Sequence, residues 1–126
     1  MLFFFCVVII SCKEELPPEG PYEPFNFIQP DTLIVFALPG ENIDLEIDLL
    51  TEDDILSLHA EYQVDDTGSF NPFIDLNFPE AENQETYTGV FGVPNTVTTG
   101  QYIRCHFYLT HMDTPVYTKV LRVNIQ

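Results

Sequence analysis

Asn42-Ile43-Asp44-Leu45-Glu46-Ile47-Asp48-Leu49 alternates apolar and polar side chains without a fault. Ile43, Leu45, Ile47 and Leu49 fall on one side of an extended chain; Asn42, Asp44, Glu46 and Asp48 fall on the other. A helix would scatter these residues around its axis. A strand sorts them into one face for a core and one for water, the mark of a sheet covered on a single side.

The same period continues outward in both directions. Upstream, Thr32-Leu33-Ile34-Val35-Phe36 is a short strand entered through Pro30-Asp31, and Pro39-Gly40 turns the chain. Downstream, Ile55 to Val64 sets Leu56, Leu58, Ala60, Tyr62 and Val64 against Ser57, His59, Glu61 and Gln63. Asp65-Asp66-Thr67-Gly68-Ser69 is a turn, with Gly68 suited to a positive φ. Phe73 to Phe78 is a short strand for an edge. Residues 85–93 carry Tyr87, Gly89, Phe91 and Val93 on one face. Gln101 to Thr110 alternates Ile103, Cys105, Phe107 and Leu109 against Tyr102, Arg104, His106 and Tyr108. Residues 116–125 close the series with Leu121, Val123 and Ile125. No stretch carries a helical stripe. Seven strands at this spacing predict an all-β chain: a seven-stranded antiparallel Greek-key β-sandwich over residues 30–126.

Composition supports a packed domain and excludes one class of partner. The 126 residues are 45% hydrophobic and 13% aromatic, enough for a core. Formal net charge is −16, and the only cations are Lys13, Arg104, Lys119 and Arg122. Nucleic acid is excluded as a partner because phosphate contact needs Lys and Arg in number.

The amino-terminal segment has a different character. Met1 to Ser11 has no charged side chain, although secretory leaders open with Lys or Arg. As a helix it would reach about 16 Å, half a bilayer core, too short to span one. The charge switch comes at Cys12, followed by Lys13-Glu14-Glu15. Ile9-Ile10-Ser11-Cys12 resembles the bacterial lipobox, and Lys13-Glu14-Glu15 resembles the export signal of Bacteroidota-type surface lipoproteins. The resemblance implies a signal peptide over 1–11, lipid on Cys12, and an outer-membrane location facing the cell surface; a periplasm-facing lipoprotein is the alternative. Without it, Phe3 to Ile10 reads as a buried strand and the charges as a solvated tether. Residues 12–29 hold four prolines between Pro17 and Pro24 and read as an extended tether. With Cys6 removed and Cys12 lipidated, Cys105 stands alone and the domain has no disulfide.

The strand order resembles the immunoglobulin-like and fibronectin type III-like modules that follow lipid anchors in bacterial surface proteins. Gly100-Gln101-Tyr102 resembles their tyrosine corner. That role requires a bulge near Gln101, because Tyr102 otherwise falls on the face opposite Ile103 and Cys105. The chain has no Trp and no cysteine pair, which excludes an antibody-type domain.

In that topology the strands at 41–49 and 85–93 share one sheet, whose outer face bears Asp44, Glu46 and Asp48. The strands at 55–64, 101–110 and 116–125 share the other, whose outer face gathers His59, Glu61, Tyr102, Arg104, His106, Tyr108 and Arg122. This mixed aromatic and basic face is the candidate contact surface for a protein or glycan; the plainer reading is an Arg104–Glu61 cross-strand pair beneath shielding tyrosines. Glu52-Asp53-Asp54 and Asp65-Asp66 are carboxylate turns without EF-hand spacing, and His59, His106 and His111 lack zinc-ligand spacing, so no metal and no cofactor are expected. No nucleophile elbow or phosphate loop is present, and Cys105 sits on an apolar strand face as an inert thiol. The expected function is a non-enzymatic, lipid-anchored surface module in adhesion or accessory binding. The alternative is a glycan-binding lipoprotein of a nutrient-uptake system, stacking sugars on Tyr102, Tyr108, Phe70 and Phe73.

Overall fold

The structure, a computed structural model, describes residues 23–80, 82–112 and 116–126. Cys12, Lys13, Glu14, Glu15, the leader over 1–11 and the tether as far as residue 22 lie outside the described residues. The described residues form eight strands: β1 Phe25–Gln29, β2 Ile34–Ala37, β3 Asn42–Leu50, β4 Ile55–Val64, β5 Asn71–Asn77, β6 Gln84–Gly92, β7 Tyr102–His111 and β8 Tyr117–Ile125. They form a three-stranded sheet, β1-β3-β6, and a five-stranded sheet, β2-β8-β7-β4-β5. β3, the alternating segment that decided the reading, pairs antiparallel with β6 in unbroken register from Asn42↔Gly92 to Leu50↔Gln84.

Two expectations need correction. Among the described residues the strands number eight rather than seven, because Phe25–Gln29 belongs to a sheet rather than to the tether. Its prolines end at Pro24, and Phe25 and Phe27 then recur at a strand period and pack into the core. Nor is every pairing antiparallel: β2 lies parallel to β8, from Ile34↔Arg122 to Ala37↔Ile125. The chain crosses from one sheet to the other between β1 and β2, so the amino-terminal segment contributes a strand to each.

The inner faces meet as the alternation requires. Leu45, Ile47 and Leu49 of β3, Ile103, Cys105, Phe107 and Leu109 of β7, and Leu121, Val123 and Ile125 of β8 are all buried. Phe107 is the hub: its ring meets those of Phe27 at 5.3 Å, Phe73 at 5.9 Å and Phe25 at 6.5 Å. Burying such a ring contributes about 2–3 kcal/mol, so this cluster is a large share of what holds the sheets together.

Two bulges in β4 adjust which residues reach the core. Pairing with β7 skips from Ile55↔His111 to Ser57↔Thr110. Ile55 is therefore buried and Leu56 exposed, the reverse of simple alternation. Pairing with β5 skips from Ala60↔Ile74 to Glu61↔Pro72. Phe73 drops out of the ladder and packs on Tyr62 at 6.2 Å and Phe91 at 4.9 Å. It is half-buried against the core and leaves the set of proposed sugar-stacking side chains.

Candidate recognition face

The outer face of the five-stranded sheet is assembled by register. Side chains that are cross-strand partners stand beside one another on the same side. His59 lies opposite Tyr108, Glu61 opposite His106, and Gln63 opposite Arg104. On the other flank of β7, Arg104 lies opposite Arg122, His106 opposite Val120 and Tyr102 opposite Asn124. The six residues expected on this face, His59, Glu61, Tyr102, Arg104, His106 and Tyr108, are therefore brought together. The outer face of the other sheet carries Asp44, Glu46 and Asp48, and Asp48 accepts a hydrogen bond from the Thr86 hydroxyl at 2.9 Å.

The individual contacts differ from expectation. Arg104 does not pair with Glu61. Its Nη2 donates to Gln63 Oε1 at 2.9 Å and lies 3.0 Å from Asp66 Oδ1, because Gln63 rather than Glu61 is its cross-strand neighbour. Glu61 instead lies 3.9 Å from His59 Nε2 and accepts weakly from the Tyr108 hydroxyl at 3.4 Å.

Tyr102 is not a tyrosine corner. From Tyr102↔Asn124 onward its register with β8 is unbroken, and the irregularity at Gly100 and Gln101, both bonded to Ile125, precedes it, so its ring stays on the outer face. Its hydroxyl donates to Asp66 in the β4–β5 turn. That carboxylate acceptor raises the phenol pKa above its ordinary value, so Tyr102 remains a donor. Burial and then the charge of Glu61 raise Tyr108 likewise.

Gln63 is the residue that sequence reasoning passed over. Its buried amide donates to Gly68 O at 2.9 Å and Asp66 O at 3.3 Å, while its oxygen serves Arg104. Gln63 thus ties the 65–70 turn to β7 through Arg104. Asp65 completes the fastening: Oδ2 accepts from Gln101 Nε2 at 2.9 Å and Oδ1 from the Tyr102 amide at 3.2 Å. The positive φ expected at Gly68 falls at Asp65 instead, at 55°. Gly68 is needed for space, since a Cβ there would lie 2.5 Å from Val64 O. The turn also brings exposed Phe70 edge-on to His106, with ring centroids 5.5 Å apart.

At the β2 flank the face becomes apolar. Val35 and Ala37 turn inward, leaving Ile34 at 56% exposure and Phe36 at 63% beside β8, where Val120 is 39% exposed. The run Ile34-Val35-Phe36 is apolar throughout, so its sequence gave no sign of which residues face water. Arg122 stands between this patch and the aromatics. Its guanidinium lies 4.0 Å from the Tyr102 ring centroid, and its Nε donates to Asn124 at 2.9 Å.

Among the described residues no group of three or more His, Cys, Asp or Glu side chains could hold a metal ion. Cys105 is buried in the core, and desolvation pushes its thiol up to about 12, far from a nucleophilic thiolate. A separate surface groove of about 180 Å³ lies where β1 meets the Asp31–Leu33 connection. Its lining is mainly polar and includes Glu23, Asn26, Asp31 and Lys119.

No family model matches the chain, and no curated protein matches it. Among solved structures it is similar to a Niemann-Pick type C2 protein from Japanese carpenter ant, at 11% identity and a TM-score of 0.47, over 72% of this chain and 79% of that one.

Proposed function

We propose that this protein is a non-enzymatic recognition module that presents the outer face of its five-stranded sheet to a partner protein. In this reading lipid on Cys12 holds it to the outer membrane, Lys13-Glu14-Glu15 directs it to the cell surface, and the residues before Phe25 space the domain from the bilayer. The finer fold assignment, an immunoglobulin-like Greek key, belongs to the same proposal. Its support is the division of strands into β1-β3-β6 and β2-β8-β7-β4-β5, with the amino-terminal segment shared between sheets.

The observation that carries the proposal is asymmetry. One sheet shows water a row of carboxylates. The other shows Tyr102, Arg122, Phe70, Ile34, Phe36 and Val120, the aromatic, arginine and aliphatic mixture in which interface energy concentrates. A protein partner is favoured over a sugar because the rings are already engaged. Arg122 covers Tyr102, and the Tyr108 ring has His59 at 6.1 Å and His106 at 6.5 Å as stacked neighbours. Sugar stacking needs an open ring face.

Site-specific photocrosslinking in cells that make the full chain tests this. A crosslinking side chain at Val120 should yield a discrete adduct, and one at Thr88 on the opposite face should not. Equal adducts from both positions, or none from Val120, would refute the proposal. The mass of the native amino terminus tests the anchor, which is lost if Cys12 carries no lipid.

A further inference from the structure

Arg122 is a cation prepared for an acid that the described residues do not supply. The chain has 20 acidic residues against four basic ones, so an arginine on its surface should find a carboxylate easily. Arg104 does, in Asp66. Arg122 does not: among the described residues it forms no ion pair, and its cross-strand neighbour is another arginine. Like charges in that position are unfavourable by themselves. Yet the side chain is ordered, since Tyr102 supports its flat face and Asn124 holds Nε. What remains is the outer fork of terminal nitrogens, exposed and shaped to grip two oxygens together.

The surroundings narrow the ligand. Ile34 is the register partner of Arg122 across β2, and Val120 precedes it by two residues on the same face. Next to it, Arg104 Nε is a buried donor without a partner. The anchor is therefore a cation backed by an aromatic ring and flanked by aliphatic side chains. A chain of charge −16 repels an acidic polymer as a whole. It does not repel a single carboxylate on an otherwise apolar segment, because screening confines the field to about 8 Å at physiological salt.

We infer that Arg122, backed by Tyr102, is the anchor of a carboxylate-binding site whose ligand is an acidic side chain on an apolar segment of a partner protein. Ile34, Phe36 and Val120 take the apolar flanks of that segment. The edge of β2 is not the docking element. Odd-numbered residues Leu33 and Ala37 bond to β8, which turns the backbone groups of Ile34, Phe36 and Leu38 toward the free edge. There the Thr32 hydroxyl caps Ile34 O at 2.9 Å and Glu41 caps Leu38 N at 2.8 Å, so the ladder is closed at both ends.

The inference rests on the recognition face proposed above, and its test separates the two. The ¹⁵N-labelled full chain is titrated with a short blocked peptide carrying one glutamate among valines and leucines, with the same peptide carrying glutamine, and with a uronic acid oligosaccharide. The Arg122 Nε–Hε resonance should move saturably with the glutamate peptide, and the glutamine peptide should bind roughly tenfold more weakly. Arg122→Gln should abolish that preference and Arg122→Lys should not restore it, while an unchanged far-ultraviolet spectrum shows that each variant folds. Equal binding of both peptides, binding of neither, or binding of the oligosaccharide alone would overturn the inference. Adducts from Val120 together with any of those results would leave the face standing and remove only the carboxylate anchor.

Discussion

Replacing Gln63 by methionine tests how much of the hold on the 65–70 turn comes from this one side chain. Methionine matches glutamine in length and lacks both the donor and the acceptor. Three contacts go: the bonds to Gly68 O and Arg104, both 2.9 Å, and the longer one to Asp66 O at 3.3 Å. Each of the short bonds contributes about 1 kcal/mol net, and the long one less. Arg104 keeps Asp66, so no charge is stranded. The expected loss is about 2–3 kcal/mol, read as a lower urea midpoint at unchanged slope. Gln63→Glu sharpens the test. It keeps an acceptor for Arg104 but faces two carbonyl oxygens with a carboxylate, so the turn should open while Arg104 stays in place. Amide exchange at Gly68, whose N–H bonds Val64 O at 3.2 Å, should then accelerate in both variants. A stability change under about 0.5 kcal/mol for Gln63→Met, with Gly68 still protected, would refute the reasoning.

Two further outcomes follow from burial and from space. Burial raises the Cys105 thiol from 9.0 to about 12, so between those values the unfolded chain releases a proton that the folded chain keeps. The unfolded state then binds fewer protons and stability falls as pH rises; below pH 9 the group adds no pH dependence. Cys105→Ala escapes that loss. Its deficit against the parent protein, measured by urea titration, should narrow by on the order of 2 kcal/mol between pH 9 and 11, and parallel curves would contradict the assignment. Gly68→Ala and Gly89→Ala should separate in thermal unfolding. The new methyl at 68 meets the backbone oxygen of Val64 at 2.5 Å and cannot be relieved cheaply, whereas at 89 it meets the movable hydroxyl end of Tyr87. A loss of about 1–3 kcal/mol is expected for the first and a smaller one for the second; the reverse order would count against the packing described.

The fold was legible wherever one face of a strand was wet and the other dry. In β3 and β7 the polar side chains fall between the apolar ones, and a single slip in register would bury Asp44 or Arg104. Legibility failed where that contrast was missing. Phe25–Gln29 follows a proline run and is short, so its two inward rings were hidden by the composition around them. Leu56 and Phe73 were misplaced by bulges, which shift the phase of a strand without leaving a mark in hydrophobic period. The candidate face was legible as a set of residues because register follows from alternation. Its contacts were not. Whether Arg104 meets Glu61 or Gln63 depends on a two-residue offset between β4 and β7, and the alternating pattern of each strand is indifferent to an even offset.

That offset also explains how a strongly acidic chain keeps one arginine uncommitted. With Gln63 opposite Arg104, the amide serves Arg104 and draws the 65–70 turn over it, and Asp66 arrives with the turn. Asp66 thereby reaches Arg104 and Tyr102 from the β4 side of the sheet. Arg122 lies on the far side of β7, one strand beyond, with Tyr102 between. Its own flank is β2, where Ile34, Val35, Phe36, Ala37 and Leu38 offer no carboxylate. The acids nearest in sequence to β2 are engaged or lie elsewhere: Glu41 caps the Leu38 amide, and Asp31 lines the groove beside Lys119. An acidic residue at position 34 or 36 would close the vacancy with a cross-strand ion pair worth about 0.2–1 kcal/mol. Aliphatic and aromatic side chains there leave the charge open and exposed apolar surface around it, a costly arrangement for an isolated domain and a useful one for a surface that is covered by a partner.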